Sequence, residues 1–411
     1  MRKIIEEVVA NENAKKTKGF FSKTKAVSNT DNVSKDDVSN NSLTQKEISK
    51  GIKDKELEDV LAGLITTIKV IGCGGAGTNT ISRCVENSIS GAQFISINTD
   101  AQHLLLSNSP HKVLIGRHLT RGLGAGGNPE VGRAAAEESR EDLTRILRES
   151  DLVFITCGEG GGTGTGSAPI VAEIAKLEGA IVVGVVTLPF KTEIGRMDKA
   201  QNGLSLLKRY VDTLVVIDNN RLLEIAPDLP IIEAFSVADE VLASMVKGIT
   251  ETISLPSLIN LDFADVRTVL STGGVAMVGV GESSGKENRV AEAIEDALHS
   301  PLLDVTVDGA SGALIHVCGG NDMTLAEANS VAEIISEKID VNVNDALVIW
   351  GARVSEEFDG YLRIMLLITG IKSPQIFGSG YSQSQKTCPE PSINIKRFSN
   401  DIFDIKEIAF D

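Results

Sequence analysis

Three glycine clusters and one pair of carboxylates are the parts of this 411-residue chain whose types and spacing point to chemistry. The first cluster, Gly72-Cys73-Gly74-Gly75-Ala76-Gly77, has the spacing G-x-G-x-x-G and follows the apolar run 68–71. Glycine lets a backbone turn tightly and come close to a phosphate. A helix beginning there adds free N–H groups and a positive dipole end. Alone the pattern is weak, because a tight structural turn has the same spacing. The more informative cluster is Gly160-Gly161-Gly162-Thr163-Gly164-Thr165-Gly166-Ser167, which follows the apolar run 152–156 and puts five glycines in seven positions. Such a loop has little side-chain bulk, so its N–H groups can turn inward on an anion while the Thr hydroxyls add donors. Two phosphate loops suit a di- or triphosphate better than a pyrophosphate alone. The chain has no G-x-x-x-x-G-K-[ST] motif, hence no phosphate lysine of that kind. Backbone dipoles and a metal ion must then neutralise the charge, and Mg²⁺ suits phosphate oxygens and water.

The remaining candidates are less specific. In 122–129 a glycine-rich stretch ends in Asn128-Pro129, which fit the N-cap and first turn of a helix. A ligand-sensing loop and a plain connection both explain it. Asp262 and Asp265, in Asn260-Leu-Asp-Phe-Ala-Asp-Val, share one side of a helix start. Acidic residues cap helices there, and spacing alone favours that reading. The five histidines show no metal-ligand spacing, so no protein-built metal site is expected, and Cys73 reads as a small filler.

These residues need a scaffold, and the apolar pattern supplies one. Runs at 68–71, 94–97, 112–115, 152–156, 180–188 and 214–217 read as strands. They alternate with helices predicted over 78–86, from 129 through 148, and over 168–177. That alternation predicts an α/β fold with a Rossmann-like parallel sheet covered on both faces. A long helix over 229–252 follows, with a broad apolar face that includes positions 235, 238, 242, 245, 246 and 249. It joins the sheet to a smaller α+β C-terminal domain, with strands at 276–281, 313–317, 344–350 and 361–369 and helices at 288–299 and 325–338. The expected divisions are a largely disordered extension 1–60, a nucleotide domain 61–228, a central helix 229–259, a C-terminal domain 260–372, and a linker with terminal peptide 373–411. The extension is near neutral, and its segment 20–41 holds too little apolar surface to offset ordering entropy.

Composition excludes several classes. With 40 Lys+Arg against 56 Asp+Glu the net charge is -16, so nucleic-acid binding through general electrostatics is not expected. Five scattered cysteines without a CxxC pair fit neither a disulfide scaffold nor a zinc ribbon. The longest apolar run, 180–190, is shorter than the ~20 residues a membrane span needs. The N-terminus lacks a signal-peptide apolar core, and a soluble cytosolic protein is expected.

Residues 160–167 resemble the signature loop of the tubulin/FtsZ family. Residues 72–79, 98–102, 120–129, 188–190 and 260–266 resemble the other nucleotide and contact loops of FtsZ, in the family's order and closest to its archaeal form. The resemblance covers about 61–372. It implies a polymerising GTPase that binds GTP or GDP with Mg²⁺, assembles head to tail, and builds the cytokinetic ring at midcell. Gly72, Gly74, Gly75, Ala76, Gly77 and Asn79, with Gly160, Gly161, Gly162, Thr163, Gly164, Thr165 and Gly166, would hold phosphates. Asn98, Asp100 and Ala101 would lie near the terminal phosphates, and Gly124, Ala125 and Gly126 would close over the γ-phosphate. Glu193 and Arg196 match a ribose-contacting pair, although the segment is about one residue shorter than the common pattern. Asn219 matches a nucleoside contact, with Asp218 where proline is usual, and Phe235 and Asp239 match the base contacts. A ring stacks on a purine, and a carboxylate accepts from guanine N1–H and its 2-amino group, which adenine cannot satisfy. Without the resemblance, Phe235 reads as core and Asp239 as a solvated position. The loop with Asn260, Asp262 and Asp265 would enter the next subunit's pocket, where the carboxylates serve the attacking water.

Two other functions fit parts of the pattern. One is an NAD-dependent Rossmann dehydrogenase, with Gly72, Gly74 and Gly77 on pyrophosphate, against which residues 160–166 count. The other is a non-hydrolysing regulatory homologue, against which Asp262 and Asp265 count. In the tail, Phe398, Ile402, Ile405 and Ala409 fall on one face at helical spacing. The family implies that such a peptide docks on a membrane-anchoring, SepF-like adaptor; packing back on its own domain is the alternative.

Overall fold

The computed structural model describes residues 66–225, 229–254, 259, 262–285, 288–298, 309–339 and 346–371. The extension 1–60, Asn260 and the linker and peptide from 373 lie outside the described residues. Strands β1 (Ile68–Cys73), β2 (Ala92–Asn98), β3 (His111–Leu114), β4 (Leu152–Gly158), β5 (Ile181–Leu188), β6 (Thr213–Asp218), β7 (Gly274–Ser283), β8 (Gly312–Gly319), β9 (Leu347–Val354) and β10 (Leu362–Ile371) form one sheet. Its order is β3-β2-β1-β4-β5-β6-β7-β10-β8-β9. The helices are α1 (Gly74–Glu86), α2 (Ala101–Leu106), α3 (Arg117–Thr120), α4 (Pro129–Glu138), α5 (Arg140–Leu147), α6 (Thr163–Leu177), α7 (Ile194–Leu207), α8 (Asn220–Ile225), α9 (Ile231–Ser254), α10 (Phe263–Ser271), α11 (Arg289–Leu298) and α12 (Leu325–Lys338).

From β3 to β6 all pairs are parallel. These strands are apolar without interruption because both faces are covered. Side chains alternate across the sheet. Ile68, Val70, Phe94 and Phe154 face α1 and α9, whereas Ile71, Ile95 and Ile155 face α4 to α7. In the C-terminal half β10 runs antiparallel to β7 and β8. There α11 and α12 cover one face, while α9 and α10 cover the other. The long helix α9 thus joins one continuous core to both halves. A strand pair links them as well, through Thr213↔Gly274, Leu214↔Val275 and Val215↔Ala276. Periodicity cannot announce such a long-range pairing.

Four helical segments differ from the sequence expectation for physical reasons. α1 and α6 begin at Gly74 and Thr163, inside the glycine clusters, rather than after them. First-turn amides have no intrahelical acceptor, so a glycine-rich turn can be helical and still present free N–H groups. The predicted single helix 129–148 is broken at Ser139, whose φ of -102 and ψ of 16 separate α4 from α5. Its hydroxyl accepts the Gly116 N–H, which ties the break to a neighbouring loop. α7 lacked a recognisable pattern, because it buries only Ala200, Gly203, Leu204 and Leu207.

Candidate functional site

A cleft of about 410 Å³ opens at the carboxyl ends of β1, β4, β5 and β6. That is where open parallel sheets place their ligands. Cys73, Gly75, Ala76 and Asn79 line it from the first glycine cluster, and Gly161, Gly162, Thr163 and Gly164 from the third. The two helix N-termini, α1 and α6, therefore converge on one space, which makes it an anion site by construction. Opposite lie Glu193, Arg196, Asn219, Phe235 and Asp239.

Other predicted residues shape this cleft from behind or from its rim. A Cβ on Gly77 would strike the Thr156 carbonyl of β4, and one on Gly74 would meet the Gly164 amide. Gly72 backs onto Gly77, so these three glycines set how closely helix and strands approach. Gly160 packs on the Arg196 backbone and Gly166 on Pro129 and Arg133 of α4. The Thr165 hydroxyl accepts the Gly160 N–H at 2.9 Å and so pins the loop's turn.

The loop after β2 is tied down by its own side chains. Asn98 Oδ1 accepts from the amides of Thr99 and Asp100, and Asp100 caps α2 by accepting from Gln102 and His103. Ala101 donates its N–H to Gly122, and Gly124 donates to Thr99, so residues 98–101 and 122–124 lean on one another. Ala125 and the amides of Gly127 and Asn128 pack over Gly162, with Gly126 in open space. Thr99 and Thr163 share a hydrogen bond of 2.6 Å between their hydroxyls, which the sequence did not single out. It joins the β2 loop directly to the phosphate loop.

At the other end of the cleft side chains dominate. Phe235 is 41% exposed and meets Phe190 edge-on at 5.7 Å, so it is not the core residue that helical spacing alone suggests. Asp239 accepts the Thr80 hydroxyl at 2.7 Å. Burial raises its pKa to about 6, against the opposing pull of Thr80 and Arg83. Asn219 is buried, and its Oδ1 has no hydrogen-bond partner among the described residues, an acceptor ready for a ligand. Arg196 pairs with Glu193 at 2.7 Å, and both line the cleft despite the shortened segment.

Sequence reasoning passed over Glu159, which lines the cleft, is 4% exposed and has its pKa raised to about 7 by burial. An acidic residue inside a phosphate loop was the signal available. Burial also pushes the Cys73 thiol up to about 12, so it stays neutral filler.

Asp262 and Asp265 stand elsewhere. Both are exposed and neither lines the cleft. Asp262 caps α10 through the Ala264 N–H, as its spacing suggests, and Asp265 sits in the first turn. The last turn of α10 touches the start of β6, where Thr213 donates to the Leu270 carbonyl, whereas the cleft lies beyond that strand's other end.

Fold and cleft together define an α/β protein in which two glycine-rich helix starts converge on one cleft at the carboxyl end of a parallel sheet. Residues 67–227 match the GTPase domain of the tubulin/FtsZ family, and residues 274–372 match the C-terminal domain of the FtsZ family. "Cell division protein FtsZ 2" of Methanocaldococcus jannaschii is 58% identical over 76% of this chain and 82% of its own length. "Cell division protein FtsZ 1" of Archaeoglobus fulgidus is 52% identical over 82% of this chain and 92% of its own. A solved M. jannaschii structure described as an empty FtsZ dimer superposes with a TM-score of 0.70 at 52% identity, covering 77% of this chain and 92% of that one. The chain belongs to the FtsZ family of cell-division proteins, GTPases that share tubulin's nucleotide-binding domain. Guanine-nucleotide binding replaces the dehydrogenase alternative.

Proposed function

We propose that this chain binds GTP in the cleft, assembles head to tail, and hydrolyses GTP when a second copy brings Asp262 and Asp265 to the γ-phosphate. The observation that carries this reading is the separation of the two half-sites at different ends of β6. Within one subunit the carboxylates of the cleft face other groups of the same chain. Asp239 is bound to Thr80, Glu193 to Arg196, and Glu159 is packed beneath α7. Among the described residues the Asp265 side chain makes no hydrogen bond, and it is exposed to a partner. Asn260 belongs to the same segment but lies outside the described residues.

The residues then divide the work. The first turns of α1 and α6 hold the phosphates with backbone amides, and 122–126 closes over the outermost one. Glu193 and Arg196 contact the ribose, Asn219 the nucleoside, Phe235 stacks on the base, and Asp239 accepts from guanine. Mg²⁺, which prefers phosphate oxygens and water, would neutralise the phosphate charge there. Phosphoryl transfer needs mainly positioning and charge stabilisation, so a partner's carboxylate that orients and deprotonates water is chemically sufficient. The terminal peptide would tether filaments at midcell through a membrane-anchored, SepF-like adaptor. No described helix is long and apolar enough to cross a membrane.

Sedimentation with phosphate release measured in parallel tests the reading. Pelleting should rise with GTP and Mg²⁺ and not with ATP. Asp265→Ala should bind GTP, stop releasing phosphate and form persistent filaments. Wild-type hydrolysis in Asp265→Ala would remove that residue from the mechanism, and assembly without phosphate release in the unaltered protein would favour the non-hydrolysing homologue.

A further inference from the structure

Glu159 stands between Gly158 at the end of β4 and the glycines that open the phosphate loop. Its Oε1 receives the Cys157 thiol at 3.7 Å. Its Oε2 has no hydrogen-bond partner among the described residues. A Cβ on Gly203 of α7 would collide with that oxygen and with the Thr165 methyl, so the helix carries no side chain where the carboxyl lies. Thr165, which fixes the Gly160 turn, lies against the same carboxyl. Glu159 therefore fills the seam between the phosphate loop and α7, and it also lines the nucleotide cleft.

Its charge conflicts with its position. From the strands it faces the thiols of Cys157 and Cys73, both held neutral by burial. From α6 it faces Thr165, and from α7 Gly203. The cations of α7 are engaged elsewhere: Arg196 pairs with Glu193, and Lys199 donates to the Gly127 carbonyl. Among the described residues Glu159 forms no ion pair, and its carboxyl lies against Thr165 in the first turn of α6, beside the cleft proposed to receive phosphate. An unpaired buried charge beside a second anion is disfavoured, and the neutral acid relieves both penalties. Protonation also gives the side chain an O–H to donate. The free protein holds this carboxyl near half-ionisation at neutral pH, because burial lifts its pKa to about 7.

We propose that Glu159 is a proton-linked positioning residue, whose carboxyl takes up one proton from solvent when the phosphates bind and then braces the loop against α7 as a neutral group. This rests on the cleft being the guanine-nucleotide site. Titration calorimetry with GDP, in two buffers of different ionisation enthalpy, counts the protons directly. At pH 7.5 the unaltered protein should take up roughly 0.8 proton, and its affinity should fall roughly eightfold between pH 7.5 and 8.5. Glu159→Gln should show neither effect beyond the twofold level, because its amide stays neutral throughout. Absence of proton uptake in the unaltered protein overturns the proposal without recourse to any variant. Equal pH slopes in the two proteins also overturn it while leaving the nucleotide site intact. Failure of the unaltered protein to bind GDP at every pH would overturn the site and the proposal together.

Discussion

The two ends of the nucleotide cleft are built on opposite plans. At the end proposed to take the phosphates the working groups are backbone amides, and side chains matter by being absent. At the end proposed to take the base they are side chains: the exposed ring of Phe235, the Asp239 carboxylate and the unpartnered Asn219 oxygen. An amide end is sensitive to any added Cβ, because α4, α6 and the strands pass within contact of the loop. A side-chain end tolerates backbone shifts but depends on single functional groups. The same contrast explains why phosphate binding is common to many nucleotides whereas the base is chosen by two or three residues.

The sharpest way to break the contrast is to add a methyl group at the amide end. In Gly166→Ala the new Cβ would run into the Pro129 carbonyl and the Arg133 amide of α4. Both are backbone and cannot turn aside. A loss of about 3 kcal/mol or more in stability is expected, read as a fall in urea midpoint, together with loss of GDP binding. Gly75→Ala is the control, since its Cβ meets nothing within 4 Å and faces the cleft. It should leave the urea midpoint within about 0.5 kcal/mol while weakening nucleotide binding. If both alanines destabilise equally, the packing account of the loop is wrong.

At the side-chain end, Asp239→Ala should spare the fold and cost roughly 30- to 100-fold in GDP affinity, the weight of about 2–3 kcal/mol for charge-assisted hydrogen bonds. Competition with ATP should narrow accordingly, and an unchanged GTP preference would move base recognition to another residue. Phe235→Ala should cost less, roughly tenfold, from lost stacking worth about 1–3 kcal/mol. Because Phe235 is half exposed, thermal unfolding should barely move. A large drop in melting temperature would instead assign the ring to the core.

The same division governs what the sequence makes legible. Glycine clusters after apolar runs mark the amide end with no outside knowledge, since the residue type itself is the mechanism. Phe235 and Asp239 gave no such mark. Spacing on α9 favours a core ring and a solvated acid, and only resemblance to FtsZ suggested otherwise. Sheet strands were readable as apolar runs, yet the β6–β7 pairing and the Thr99–Thr163 bond join residues far apart in sequence, which local patterns do not encode. α7 stayed hidden because few apolar side chains mark its buried face. Glu159 was visible as an acid in a phosphate loop, but its meaning depended on Gly203, 44 positions away.

The smallest predicted effect separates the two ends by pH. Burial holds the Asp239 pKa at about 6 in the free protein. In the proposed site guanine N1–H and its 2-amino group would donate to the charged form, so binding would lower that raised pKa and release a proton when the site starts protonated. The Asp239 contribution, read alone in Glu159→Gln, should therefore be level above about pH 7, fall about twofold at pH 6 and roughly tenfold at pH 5. This acid limb has the opposite sign to the loss expected at alkaline pH from Glu159, where binding requires the neutral acid. The two limbs should also be separable by substitution. Glu159→Gln should keep the acid limb, and Asp239→Asn should lose it while retaining the alkaline one. GDP titrations at five pH values from 5 to 8.5 on the three proteins suffice. An acid limb that persists in Asp239→Asn would place the titrating group on the nucleotide or on another residue, and would end the claim that the two ends of the cleft answer pH independently.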